Sequence, residues 1–189
     1  TCHAQMAVRI EVGGSTTYST DFASAMNNAA DGTTITLLKD VDNNKRACIE
    51  DNKTVTLNLN GHTITGGWIQ AGYGENWDDQ TAGTLNIVGS GSFSGYLGVG
   101  YKATLDLSGW TGGTIKTVNL SKSKDSNDES GLIVGENAGT INSLEISSWP
   151  TSSGYMNYVN KTELSGGTYD AISITMTSPS TGADKAIPY

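Results

Sequence analysis

The chain has 189 residues, of which 24 are glycine and only 16% are charged, against about 25% in an ordinary soluble domain. Its 11 Lys and Arg against 19 Asp and Glu give a net charge of −8, which excludes a nucleic-acid binder that relies on a basic face. No apolar run approaches the ~18 residues of a membrane span, yet 36% hydrophobic residues suffice to bury the core of one domain.

The N-terminal part of the chain predicts a strand followed by a short helix. Aliphatic residues alternate with polar ones from Val8 to Val12, and two glycines then turn the chain. Asp21 is a suitable N-cap for a helix that ends at Gly32. We expect residues 1–32 to form an N-terminal arm and a capping strand and helix, because a repetitive β structure needs a cover at its open end.

A four-residue pattern recurs after this segment: a hydroxyl residue, an aliphatic, a polar residue and a second aliphatic. The clear copies are Thr56–Leu59, Thr84–Ile87, Thr104–Leu107, Thr117–Leu120 and Ser143–Ile146. One column of first aliphatics is expected to contain Leu37, Leu57, Leu85, Leu105, Leu144 and Leu164. Their spacings predict a repeating unit of about 20 residues, as in solenoid proteins.

Another aliphatic residue follows the first after 12 positions in several units, for example Ile69 after Leu57. Two strands at a fixed offset in each unit predict an all-β fold, a single-stranded parallel β-helix of coils over residues 33–176. A β-sandwich is the alternative, but it does not explain the fixed offset. The copy at Thr117–Leu120 comes too soon after Leu105 to be a full turn, so its face stays open.

The two cysteines allow two interpretations. A disulfide between Cys2 and Cys48 would tie the N-terminal arm to the start of the core in an oxidising compartment. Alternatively, Cys48 is a small buried residue beside Ile49.

Three insertions break the period, and solenoids usually carry function in such loops. The first, 72–82, combines aromatic rings with carboxylates and an amide, which is the chemistry of a sugar-binding surface. Its candidate ligand-binding residues are Tyr73, Glu75, Asn76, Trp77, Asp78 and Asp79. The alternative is that Trp77 folds back over the end of a coil.

The second insertion, 121–130, is acidic, and Asp125, Asn127 and Glu129 are candidate Ca²⁺ ligands at alternate positions. A solvated acidic loop is the simpler interpretation, because the glycine and the distal glutamate of an EF-hand loop are absent.

The third insertion, 147–158, is aromatic like the first, and Trp149 and Tyr155 are added to the candidate ligand-binding residues. Residues 177–189 lack the repeat and are expected to form a linker or a truncation point toward a further domain.

The segment 18–41 and the segment 55–64 (Val-Thr-Leu-Asn-Leu-Asn-Gly-His-Thr-Ile) resemble the opening of pectate-lyase-like right-handed β-helix modules of bacterial secreted and cell-surface proteins. The resemblance implies a right-handed coil, an extracellular or wall-attached location and a place in a larger multidomain chain. It does not imply catalysis, because that superfamily includes lyases, hydrolases, adhesins and spacers.

The lyases of this superfamily use an Arg with carboxylate-bound calcium, and the hydrolases use carboxylates from neighbouring turns. The chain offers only Arg9 and Arg46, and Asp78–Asp79 is its only pair of adjacent aspartates. We therefore expect a non-catalytic module that acts in adhesion, in binding of carbohydrate or of a cell-surface glycoprotein, or as a spacer. A polysaccharide lyase or glycoside hydrolase, or a fragment of one, is the alternative.

Overall fold

The computed structural model describes residues 5–72, 81–100, 102–122, 129–148 and 159–176. These residues form a parallel β-solenoid with a strand and a short helix near the N-terminus, which confirms the predicted fold class. No helix among the described residues has the length and apolarity that a membrane crossing requires.

Two sheets run along the solenoid and share one apolar core. The first sheet contains, in spatial order, β2 (Ser15–Ser19), β1 (Val8–Val12), β3 (Thr33–Leu37), β6 (Thr54–Asn58), β9 (Thr84–Gly89), β11 (Thr104–Trp110), β13 (Glu129–Val134) and β15 (Val159–Leu164). The second contains β4 (Val41–Asp42), β5 (Arg46–Ile49), β7 (Thr63–Thr65), β8 (Trp68–Ala71), β10 (Ser92–Val99), β12 (Thr114–Lys122), β14 (Thr140–Ser148) and β16 (Thr168–Met176). Strand pairs are parallel except where β1 meets β2 and β3.

The pairing register divides the repeated aliphatic residues between the two sheets. Leu85, Leu105 and Leu132 are paired in the first sheet. Val118 pairs with Leu144 in the second sheet. The copy at Thr117–Leu120 therefore belongs to the second sheet, and the expectation that Leu144 continues the column of Leu105 was wrong. The motif could not separate the sheets, because both use the same alternation of inward aliphatic and outward polar residues.

The first part of the expected column is shifted by two residues. Ile35, rather than Leu37, pairs with Leu57, and Leu57 pairs with Ile87 rather than with Leu85. A shift of two keeps every aliphatic side chain on the inner face, so the hydrophobic pattern alone does not distinguish the two registers.

The repeat length varies with the insertions. Leu85 and Leu105 are 20 residues apart, as predicted for an uninterrupted unit. The unit from Leu105 to Leu132 takes 27 residues because the second insertion intervenes. In the strand β15, Leu164 pairs with Val134, which itself pairs with Leu107. Leu164 therefore belongs to the column of Leu107 rather than to that of Leu105.

The N-terminal cap closes both sheets. The strand β1 covers the first sheet by pairing antiparallel with β3. The helix α1 (Phe22–Asn27) begins after its N-cap Asp21, as predicted, and the Asp21 carboxylate accepts a hydrogen bond from the Ser24 N–H at 3.0 Å. Asn27 then serves β5: its Nδ2 donates to the Arg46 carbonyl at 3.0 Å, and its Oδ1 accepts from the Cys48 N–H at 2.8 Å. One side-chain amide thus takes the place of a neighbouring strand.

The last coil within the described residues is more open than those before it. Leu164, Ile172 and Ile174 are 41%, 52% and 57% exposed, although their positions in the register are inward. The partners of Leu164 and Ile172 in the preceding coil, Val134 and Leu144, are fully buried.

Substitution of Asn27 by Ala is expected to lower the free energy of unfolding by about 1–2 kcal/mol, because two backbone groups of β5 lose their partner at a partly exposed edge. Chemical denaturation monitored by circular dichroism measures this difference. Asn28→Ala is the matched control, since Asn28 is exposed and is expected to change stability by less than about 0.5 kcal/mol. Equal effects of the two variants would contradict the capping role of Asn27.

A neighbouring pair of glycines separates the effect of a positive φ from that of close stacking. Gly112 (φ +136°) has open space where a Cβ would lie, whereas a Cβ on Gly113 (φ +104°) would collide with the carbonyl oxygen of Gly91 in the preceding turn. We expect Gly112→Ala to cost about 1–2 kcal/mol from backbone strain alone. Gly113→Ala should cost measurably more in thermal or chemical unfolding, and an equal cost would argue against close stacking at this corner.

Candidate functional site

Most of the residues predicted from the insertions lie outside the described residues. This holds for Tyr73, Glu75, Asn76, Trp77, Asp78 and Asp79, and for Asp125, Asn127, Trp149 and Tyr155. Glu129 is the first residue of β13. The glycan-binding and calcium-binding roles assigned to these residues therefore stay predictions.

The three insertions leave the solenoid in the same way. They connect β8 to β9, β12 to β13 and β14 to β15, and each of these connections runs from the second sheet to the first. The strands of the second sheet are parallel, so their carboxyl ends meet along one edge. Residues on the outer face of the second sheet lie close to the points where all three insertions begin.

Cys48 points outward from β5 but is only 8% exposed. Burial, opposed by the nearby Arg46, raises the pKa of its thiol to about 12, so the reactive thiolate is scarce at neutral pH. Cys48 forms no disulfide with any residue that the structure describes. Cys2 lies outside those residues, and the disulfide between the two stays a prediction.

A charged cleft of about 550 Å³ lies beside the N-terminal cap. Its charged lining comes from the helix start and from the turn between β3 and β5, and consists of Asp21, Lys39, Asp40, Asp42 and Lys45. Lys45 Nζ contacts Asp21 Oδ2 at 2.9 Å, and Lys39 Nζ donates to the Gln5 carbonyl at 3.2 Å. An ion pair and a hydrogen bond thus hold the charged side chains of Asp21, Lys45 and Lys39 in place.

Two carboxylates of this cleft are poor candidates for acid catalysis. The hydrogen bond from the Ser24 N–H is the largest cause and the contact with Lys45 is the next. Together they lower the pKa of Asp21 to about 2. The N–H of Thr63, at 2.9 Å, and the nearby His62 hold the pKa of Asp40 below its usual value. A general acid needs a pKa raised toward the working pH, so both groups suit a structural role better.

The outer face of the second sheet carries an aromatic and cationic row. Arg46, Trp68 and Tyr96 are paired across β5, β8 and β10. The guanidinium carbon of Arg46 lies 4.0 Å from the centroid of the Trp68 ring. The rings of Trp68 and Tyr96 meet edge to face, with centroids 5.2 Å apart and an interplanar angle of 81°. The cation–ring contact and the edge-to-face ring pair are both energetically favourable arrangements.

Polar side chains continue this face across the next two strands. Asn119 on β12 is paired with Glu145 on β14, and its Nδ2 donates to Glu145 Oε2 at 2.9 Å. Ser143 Oγ lies 3.3 Å from the other carboxylate oxygen. Burial is the larger cause and the charge of Glu145 is the smaller one, and together they raise the pKa of Tyr96 to about 12. The aromatic and acidic parts therefore interact as one surface.

A glycine lies between these two parts. Gly98 is paired with Gln70 on one side and with Asn119 on the other. A Cβ at Gly98 would lie 3.1 Å from Trp68 Nε1, 3.2 Å from Tyr96 Cε1 and 3.4 Å from Gln70 Cγ. Because Gly98 has no side chain, the rings of Trp68 and Tyr96 can pack against the outer surface of the sheet.

Two buried polar atoms beside Gly98 have no hydrogen-bond partner within the described part of the chain. They are the donor Trp68 Nε1 and the acceptor Gln70 Oε1. The orientation of the Gln70 amide is fixed by its Nε2, which donates to the Gly72 carbonyl at 2.8 Å. Unpaired buried groups are uncommon and call for an explanation, such as a bound ligand or water. We name the whole arrangement the outer-face cluster; it consists of Arg46, Trp68, Gln70, Tyr96, Gly98, Asn119 and Glu145.

The sequence analysis did not find this cluster. Its members come from five strands that are separated by 20 to 30 residues, so no local motif joins them. The available signal was the outward position of Trp68 and Tyr96, directly before the inward Ile69 and Leu97 that the pattern had identified.

No group of three or more His, Cys, Asp or Glu side chains within the described ranges is placed to hold a metal ion. Comparison of the chain with protein-family models, with curated proteins and with solved structures found no match. The parallel β-solenoid is consistent with the resemblance to β-helix modules, and the pectate-lyase-like identity stays a hypothesis.

The coupling between Tyr96 and Glu145 predicts a measurable titration. Tyr96 should ionise near pH 12, and Glu145→Gln should lower that pKa while leaving it above the ordinary value of about 10, because burial is the larger cause. The raised pKa means that Tyr96 contributes stability below about pH 10, and that this contribution is lost as pH rises toward 12.

The measurement is the tyrosinate absorbance of the folded protein against pH, with Tyr96→Phe subtracted to isolate this ring. Circular dichroism at each pH verifies that the fold is intact. An unchanged Tyr96 titration in Glu145→Gln would contradict the proximity of the two side chains.

Proposed function

We propose that this chain is a non-catalytic glycan-binding module of a secreted or cell-surface protein, and that the outer-face cluster is its binding surface. One observation carries the proposal: an aromatic pair lies beside a carboxylate and amides on the outer face of a rigid sheet. Sugars have an apolar ring face and polar hydroxyl edges, and this surface offers a partner to each.

The apolar part of the surface is Trp68 with Tyr96. Both side chains are half-buried, so part of each ring stays open to solvent, and the Arg46 guanidinium packs against the Trp68 ring. A fixed aromatic side chain loses little conformational entropy when a ligand packs on it.

The polar part comes from Gln70, Asn119 and Glu145. The Glu145 carboxylate is oriented by Asn119 and Ser143, and its remaining acceptor capacity is available for sugar hydroxyls. A positioned carboxylate forms stronger hydrogen bonds than a neutral acceptor.

The insertion chemistry supports the same function. The loop that contains Tyr73 and Trp77 begins directly after β8, the strand that carries Trp68 and Gln70. The predicted loop residues thus directly follow, in sequence, a strand that carries part of the outer-face cluster.

Binding of the whole chain to an array of plant, bacterial and animal glycans tests this function. Tyr96→Ala is expected to weaken binding by about 5- to 150-fold, because one ring contact is worth roughly 1–3 kcal/mol. Tyr18→Ala is the matched control: Tyr18 is an exposed tyrosine on β2, in the first sheet, and its loss should leave binding unchanged. Trp77→Ala tests the loop separately.

Three outcomes contradict the proposal. Absence of binding to any glycan would favour a spacer, and equal loss in Tyr96→Ala and Tyr18→Ala would remove the outer-face cluster from the proposal. Release of reducing ends or unsaturated products from a bound glycan would show catalysis and favour the lyase or hydrolase alternative.

A further inference from the structure

We infer that the outer-face cluster, if it binds glycans as proposed, selects a neutral and extended chain that runs along the solenoid axis, and rejects acidic polysaccharides. The inference rests on the proposed function and adds the ligand class and its direction. It differs from the acidic substrates of the lyases that the sequence resembles.

The two unpaired atoms beside Gly98 favour a hydroxyl group as the ligand atom. Trp68 Nε1 needs an acceptor, whereas Gln70 Oε1 needs a donor, and both belong to side chains that a Cβ on Gly98 would touch. A sugar hydroxyl supplies both functions at once. An ionised carboxylate only accepts, so it would leave Gln70 Oε1 unpaired in the bound state. Entry to the point above Gly98 requires that the Tyr96 ring turn aside, since its Cε1 lies over the same position.

Charge also disfavours an acidic ligand. Glu145 places a carboxylate at the polar end of the cluster, and the chain as a whole has a net charge of −8. Arg46, the cation of the cluster, lies against the Trp68 ring at the opposite end, four strands away from β14. A carboxylate bound near Asn119 would therefore face a like charge at close range.

The layout of the cluster sets the direction of the chain. Gln70, Gly98, Asn119 and Glu145 lie at paired positions on four consecutive strands, β8, β10, β12 and β14. At about 4.8 Å per strand the row is roughly 14 Å long and runs perpendicular to the strands. The strand spacing is close to the length of one pyranose unit in an extended β-linked chain. Each successive sugar thus meets the outward side chains of the next coil.

Isothermal titration with neutral β-linked oligosaccharides, from the dimer to the hexamer, and with a matched uronate series tests the inference. Affinity for the neutral series should rise with each added sugar up to about four units, the span of the row, and then level off. The uronates should bind at least ten-fold more weakly, because like charges at this range repel appreciably even at the protein surface.

Two variants test the stated causes. Glu145→Gln should narrow the gap between uronates and neutral chains, since it removes the repelling charge but keeps the shape. Gly98→Ala should weaken neutral chains about five- to ten-fold, because its methyl group would lie 3.1 Å from Trp68 Nε1 and 3.4 Å from Gln70 Cγ and would crowd both side chains. Ser94→Ala, an exposed position on the same strand, is the control for any general effect on β10. Circular dichroism and the melting temperature show whether each variant is folded.

The failures are distinguishable. Uronates that bind as tightly as neutral chains, or an affinity that does not depend on chain length, would overturn this inference and leave glycan binding intact. Absence of binding in both series and on the glycan array would overturn the proposed function and the inference with it.

Discussion

The structure depends on the stacking of each turn on the one before at the spacing of hydrogen-bonded strands, about 4.8 Å. At this spacing every side chain meets its equivalent in the next turn, so a position must hold residues that tolerate one another. Inside, this requirement gives the column of Leu85, Leu105 and Leu132. At the corners the turns approach so closely that a Cβ on Gly113 or Gly139 would collide with a carbonyl oxygen of the preceding turn. Close stacking therefore accounts for the glycines at such corners, whereas a positive φ alone accounts for others such as Gly112.

Stacking also creates two ends, and the described residues treat them differently. At the N-terminal end, β1 covers the first sheet and the amide of Asn27 completes the backbone pairing of β5. An unpaired strand edge can pair with further strands. The backbone pairing that adds each coil to the one before therefore also requires a cap at this end. At the other end the inward side chains of Ile172 and Ile174 are half exposed within the described part of the chain.

The solenoid and its cap could be predicted from the sequence, because period-two alternation, the hydroxyl–aliphatic repeat and the Asp21 N-cap are local signals. The assignment of strands to sheets could not. Leu105 and Leu144 belong to identical motifs, and only their pairing partners, far away in sequence, place them in different sheets. The register of Leu57 failed for a related reason, since a shift by two residues keeps the same face inward. Both errors concern long-range pairing that a short motif does not encode.

The outer-face cluster escaped prediction because a solenoid brings together residues that the chain keeps apart. Arg46, Trp68 and Tyr96 would stabilise the sheet as a cross-strand ladder whether or not a ligand exists. A ladder alone, however, does not account for an indole donor and an amide acceptor that are both buried and unpaired within the described residues. Each such group costs about 1–3 kcal/mol. Of the six such atoms in the described part of the chain, these two belong to side chains that a Cβ on Gly98 would touch. Their position in the middle of an aromatic and acidic surface is better explained by a partner that carries hydroxyl groups than by packing alone.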